Sequence, residues 1–172
     1  MRRRDLIGAA GVTLLGGGAA VGTVLGVGPL ASGDSSKPWY LGRASVVYER
    51  DQLRLSARQD AVRRGDTITF EITHIGDSEP VSLGCNVWWA IQTYEDGEWR
   101  HAVWTDARFH QLCASEIGSG RTLTEKVPLS RTALAEHRGI TESNTEFTPG
   151  KYRFVLVGSE PYLAVNFRVL PS

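Results

Sequence analysis

The feature that most constrains the fold is a series of short segments in which apolar and polar residues alternate. In residues 66–75, Ile68, Phe70 and Ile72 fall on one side of an extended chain, and polar residues, mostly threonines, fall on the other. A period of two predicts a β-strand with one buried face and one solvated face. The same alternation recurs in residues 52–58, 122–129, 151–158 and 162–170. Short alternating strands separated by turn signals predict an all-β, antiparallel sandwich or barrel.

The tetrapeptide Glu95-Asp96-Gly97-Glu98 predicts a hairpin turn between two aromatic strands. A two-residue turn would place Glu95 opposite Glu98, which sets like charges together and mixes polar with apolar residues on both faces. A type I turn with Gly97 as a left-handed bulge instead pairs Tyr94 with Glu98. We therefore expect the bulged register, in which one face carries Val87, Trp89, Ile91, Trp99 and Val103, and the other carries Gln92, Glu98 and Arg100.

One short helix is predicted over residues 130–138, between two strands. Ser130 is a suitable N-cap, residues 133–135 favour a helix, and Gly139 can end it. Residues 105–120 show no period and are predicted to form a long loop.

Two turn motifs carry a resemblance to known folds. Asp96-Gly97-Glu98-Trp99 follows an aromatic strand, and Thr148-Pro149-Gly150-Lys151-Tyr152-Arg153 precedes the penultimate strand. Together they resemble the small prokaryotic immunoglobulin-like families of the cell envelope and the related fold of the Bacillus-type intracellular proteinase inhibitor. The resemblance covers residues 52–170 and implies a single sandwich of about seven strands. Tyr152 would then be either a tyrosine corner or an ordinary core aromatic.

The N-terminus has the pattern of an export signal. Arg3 and Arg4, followed by Asp5-Leu6-Ile7, resemble the twin-arginine motif, and a long glycine-rich apolar run continues to residue 33. Because about 20 apolar residues span a bilayer, a retained membrane anchor is the alternative. We divide the chain into residues 1–33 as signal or anchor, 34–50 as linker and entry segment, and 51–172 as the sandwich. We expect export by the twin-arginine route to the outer face of the cytoplasmic membrane or beyond, with membrane contact only through an uncleaved N-terminus.

Charge argues against a nucleic-acid partner. The chain has 19 basic and 19 acidic residues, and residues 1–33 contain three Arg and one Asp, so residues 34–172 carry a net charge of −2. Nucleic-acid binding depends on clustered Lys and Arg that release counterions.

Two cysteines, Cys85 and Cys113, are predicted to form a disulfide, because an exported domain with one Cys pair is usually bridged. A zinc site of Cys85, His110 and Cys113 is the alternative, although it lacks an obvious fourth ligand. No Cys and His pattern fits blue copper. We therefore predict no cofactor, no metal and no catalytic residue.

Trp88 and Trp104 are predicted to lie nearly opposite each other, either as a stabilising cross-strand pair or as a binding patch. The first functional hypothesis is a non-enzymatic envelope module that binds a protein or a glycan, or takes part in a structural assembly. The alternatives are a proteinase inhibitor with residues 107–120 as its reactive loop, and a metal-dependent envelope protein.

Overall fold

The computed structural model describes residues 45–83, 87–105, 115–137, 146–157 and 160–171. The chain divides into two compact units, Met1–Asp34 and Ser35–Ser172, and every described residue belongs to the second. This part is predominantly β, with one short helix, so the predicted all-β class is confirmed. None of its helices is long and apolar enough to cross a lipid bilayer.

The described residues form eleven strands, of which seven have five residues or more, in agreement with the predicted number. The short strands are β1 (Val46–Val47), β3 (Ala61–Arg63), β5 (Val81–Ser82) and β8 (Glu116–Ile117). The long strands are β2 (Leu53–Ala57), β4 (Thr67–His74), β6 (Trp89–Glu95), β7 (Glu98–Trp104), β9 (Thr122–Pro128), β10 (Gly150–Leu156) and β11 (Tyr162–Leu170). The helix is α1 (Arg131–Ala135).

The smaller sheet of the sandwich has the order β2-β4-β9, and both pairings are antiparallel. Ile72 of β4 lies between Leu55 of β2 and Leu123 of β9. Ile68, Phe70 and Ile72 are fully buried, which confirms the face that the alternation predicted.

The larger sheet has the order β1-β11-β10-β6-β7, and β3 also pairs with β11. Strand β11 is antiparallel to β10 but parallel to β1 and β3. The predicted entry segment therefore contributes β1 to the sheet. A third, two-stranded sheet joins β5 to β8, so residues 105–120, predicted as a loop throughout, contain a strand in which Ile117 is buried.

The core lies between the two large sheets. Phe70 of the smaller sheet stacks on Phe154 of the larger one with ring centroids 4.0 Å apart, and its edge packs against Phe167 at 5.6 Å. Trp89 also packs against this group, with its ring centroid 5.5 Å from that of Phe154. Aromatic rings at these separations contribute beyond the area that they bury, so these contacts hold the sheets face to face.

The predicted hairpin register is wrong. Glu95 pairs with Glu98, and Asp96 and Gly97 form a two-residue turn with φ of 52° and 85°. Positive φ at both central residues is the mark of a type I′ turn, whose twist matches that of the flanking strands. Arg100 lies 4.0 Å from the Glu95 carboxylate and 3.4 Å from that of Asp96, which offsets the facing like charges.

A bulge farther along the hairpin brings the apolar residues of both strands back onto the same, inner face of the sheet. Ile91 pairs with Val103 and Gln92 pairs with His101, which leaves Ala102 as the extra residue of β7. Ile91 and Val103 are therefore both buried in the core, whereas Trp99, predicted to share their face, lies on the opposite one.

Two local predictions are supported by hydrogen bonds. The Ser130 hydroxyl caps α1 by accepting the Ala133 N–H at 3.2 Å. The buried Tyr152 hydroxyl donates to the Thr148 carbonyl at 2.9 Å and accepts the Thr148 N–H at 3.1 Å. A tyrosine at the start of a strand that bonds to backbone a few residues upstream is a tyrosine corner.

Candidate functional site

The outer face of the larger sheet carries two rows of polar and aromatic side chains at one end. Their neighbours in sequence, including Ile91, Tyr152, Phe154 and Phe167, point into the core, so these residues face away from it. From β11, β10, β6 and β7 in turn, the first row is Arg168, Lys151, Tyr94 and Trp99, and the second is Asn166, Arg153, Gln92 and His101. We call these eight residues the outer-face site.

Arg153 lies at the centre of the outer-face site and is held from three directions. Its Nε donates to Gln92 Oε1 at 2.6 Å, and its Nη1 donates to the Tyr48 hydroxyl at 3.3 Å. Its guanidinium lies 4.4 Å from the centroid of the Trp99 ring. The bond from Arg153 to Gln92 Oε1 sets the orientation of the Gln92 amide. The amide nitrogen therefore points to His101 and donates to its Nε2 at 2.7 Å. The guanidinium is thus fixed in position before any ligand arrives.

An aromatic pair and a groove lie beside this arginine. The rings of Tyr94 and Trp99 are 5.0 Å apart, and Tyr94 is 42% exposed. They line a groove of about 480 Å³ together with Asp60, Lys151, Tyr152, Asn166, Phe167 and Arg168. The groove therefore combines aromatic residues with four polar or charged ones, Asp60, Lys151, Asn166 and Arg168.

The groove carries an excess of positive charge. Lys151 and Arg168 are exposed and are direct cross-strand partners, an arrangement in which like charges destabilise a sheet. Within the described ranges, no carboxylate forms an ion pair with Lys151, Arg153 or Arg168. The one acidic residue that lines the groove, Asp60, accepts the Arg168 backbone N–H through its own carbonyl at 2.9 Å.

The predicted patch of Trp88 and Trp104 lies on the same outer face but at its other end. Trp104 is the cross-strand partner of Ala90, and both tryptophans are half-buried. They pack against a second apolar cluster made of Ala90, Val155, Val157, Tyr162 and Ala164. At this end of the sheet, therefore, the two indoles contribute to packing, and the exposed Tyr94 lies nearer the hairpin turn.

Other predicted site residues lie outside the described part of the chain. These are Arg3 and Arg4 of the export motif, the predicted disulfide of Cys85 and Cys113, and His110 of the alternative zinc site. In the described ranges, no three His, Cys, Asp or Glu side chains converge as a metal site would require.

Away from the outer-face site, a small cluster of interacting side chains surrounds Glu125 on β9. The Trp89 Nε1–H donates to Glu125 Oε1 at 3.1 Å, and His137 Nε2 lies 3.5 Å from the same oxygen. Burial raises the pKa of Glu125, although the indole hydrogen bond and the charge of His137 oppose this effect. His137 Nε2 also lies 3.0 Å from the Lys126 carbonyl, so this group joins β9 to the end of α1 and is a structural contact.

The outer-face site was not predicted from the sequence, because its members come from four different strands. The alternation of apolar residues identifies strands but does not show the order in which they pair. The hairpin register also placed Trp99 on the inner face. One signal was available: Lys151, Arg153 and Arg168 are spaced so that they fall on the outward faces of the last two predicted strands.

Comparisons with known proteins assign no family. No protein-family model matches the chain, and no curated protein matches it. Solved structures of a β-glucosidase from Listeria innocua are similar in part: the complex with gluconolactone has a TM-score of 0.37 and 13% identity, and the complex with isofagomine has 0.37 and 11%. These alignments cover 69% and 70% of this chain but 16% of the β-glucosidase. Likeness at this level assigns no activity.

Proposed function

We propose that this chain is an exported, non-enzymatic β-sandwich module that binds a protein or a glycan of the cell envelope through its outer-face site. The observation that carries the proposal is the Arg153 guanidinium, fixed by Gln92 at 2.6 Å and by the Trp99 ring at 4.4 Å. Arg, Trp and Tyr supply most of the binding energy at protein interfaces. A side chain that is already ordered also loses less entropy when the partner binds.

The position of the outer-face site on regular strands supports a binding role. Strands β10 and β6 are central in the larger sheet and have the aromatic core behind them. Functional groups on such elements are held more accurately than groups on loops. The eight residues include one histidine and no carboxylate, hydroxyl or thiol nucleophile apart from the Tyr94 phenol, which favours binding over acid–base or nucleophilic catalysis.

Export is the second part of the proposal and rests on the Arg3 and Arg4 pair before the apolar run. A receptor reads the arginine pair itself, so charge alone does not replace it. The double variant Arg3→Lys with Arg4→Lys should remain in the cytoplasm when the cells are fractionated. Normal export of that variant would contradict the twin-arginine assignment.

Site-specific crosslinking tests the binding face. A photoreactive amino acid at Asn166, the exposed member of the second row, should capture a defined envelope component in intact cells. The matched control places the same group at Arg54, which is exposed on the smaller sheet. Adding Arg153→Ala should reduce capture from position 166. Equal capture from both positions, or capture that Arg153→Ala leaves unchanged, would refute this role of the outer face.

A further inference from the structure

The groove beside Tyr94 and Trp99 has the size of a small-ligand site. Its volume is about 480 Å³, within the range of about 300–1,000 Å³ in which small molecules bind. A protein partner needs a broad surface, of roughly 800 Å² on each side. The groove therefore fits one or two units of a chain-like ligand better than a folded protein.

The charges of the groove select an anion. Lys151 and Arg168 face each other across two strands with no acidic partner in the described part of the chain, and Arg153 lies one row away. Placing like charges in direct register costs stability, and such violations of local rules are expected at functional sites. A bound carboxylate would relieve this repulsion by forming charge-assisted hydrogen bonds to both side chains.

The remaining groups favour an acidic saccharide over an acidic peptide. The Tyr94 ring is 42% exposed and offers an apolar surface on which the C–H face of a sugar ring can stack, whereas Arg153 covers one face of Trp99. Asp60 and Asn166 line the same groove and can accept hydrogen bonds from hydroxyl groups. A glutamate or aspartate side chain has neither a ring face nor hydroxyl donors.

From these groups we infer that the groove binds a uronate-containing oligosaccharide. The carboxylate lies between Lys151 and Arg168, the sugar ring stacks on Tyr94, and Asp60 accepts a hydrogen bond from a hydroxyl group. This inference rests on the proposed function, since it names the ligand class of the outer-face site.

Calorimetric titration of the full-length protein tests the ligand class with three defined probes. These are hexagalacturonate, neutral xylohexaose and a hexaglutamate peptide. Hexagalacturonate should bind, and its affinity should fall with added salt because charge screening weakens the contacts. The double variant Lys151→Ala with Arg168→Ala should weaken binding by about tenfold or more, the scale of a lost charge-assisted hydrogen bond.

The matched control is Arg54→Ala with Lys126→Ala, which removes one Arg and one Lys from exposed positions of the smaller sheet. It should leave the affinity unchanged. No binding of hexagalacturonate, or equal loss in both double variants, would overturn the inference, and binding of hexaglutamate as tight as that of hexagalacturonate would replace it with an acidic peptide. If crosslinking from Asn166 still captures a partner while hexagalacturonate does not bind, the saccharide inference fails and the proposed function stands.

Discussion

Gly97→Ala tests the hairpin turn, because the side chain adds strain without adding a clash. Gly97 has a φ of 85°, and a Cβ at this position would meet no atom within 4 Å. The expected loss therefore comes from the left-handed backbone alone, which costs an L-residue roughly 1–2 kcal/mol. With a urea m-value of about 2 kcal/mol/M, the unfolding midpoint should fall by about 0.5–1 M.

Gly118→Ala is the matched control for this measurement. Gly118 does not have a positive φ, and its added Cβ would make one ordinary contact, 3.9 Å from Arg121 Cγ. Alanine there should leave the midpoint unchanged or raise it slightly, because it reduces the entropy of the unfolded chain. Both variants can be followed by tryptophan fluorescence in urea. Equal midpoints for the two would refute the left-handed geometry at Gly97 and with it the two-residue turn.

Three further variants or measurements test other parts of the structure. Tyr152→Phe removes two hydrogen bonds with Thr148 and should lower the free energy of unfolding by about 1–3 kcal/mol in urea; an unchanged value would mean that the corner contributes nothing. Burial raises the pKa of Glu125, so the wild type loses stability as the pH rises through the folded-state pKa of this carboxyl. Glu125→Gln should therefore be more stable than the wild type near pH 7. This difference in stability should disappear below pH 4.5, the ordinary pKa of a glutamate. Non-reducing mass spectrometry of the exported protein should find Cys85 joined to Cys113, and two free thiols would contradict the predicted disulfide.

Five of the seven long strands, β2, β4, β9, β10 and β11, could be predicted because each carries its own alternation. Tyr162–Leu170 agrees with the predicted strand at both ends. Apolar residues stand at every second position from Leu163 to Val169, and all of them except the half-buried Val165 are buried. The strand β5 and its partner β8 have two residues each, which is too short for a period to be recognised. Their pairing depends on contacts between segments distant in sequence.

The hairpin register could not be settled from charge alone. The repulsion between Glu95 and Glu98 was a sound reason to reject the two-residue turn. In the structure, however, Arg100 reduces this repulsion, and the bulge at Ala102 returns the apolar residues beyond it to the inner face. Neither compensation is visible before the strands are paired. Because Trp99 changes face with the register, the same error concealed that Trp99 lines the groove.

Strand β11 also determines when this protein can fold during its synthesis. It lies C-terminal to all three strands with which it pairs, β1, β3 and β10. Val46 pairs with Tyr162, so this contact closes a loop of more than 100 residues, which slows folding. A nascent chain that ends before Tyr162 has β1 and β3 without their partner, and it exposes the unpaired edge of β10. Ribosome-bound intermediates should therefore remain open to chaperones and proteases until the last pairing strand has been made.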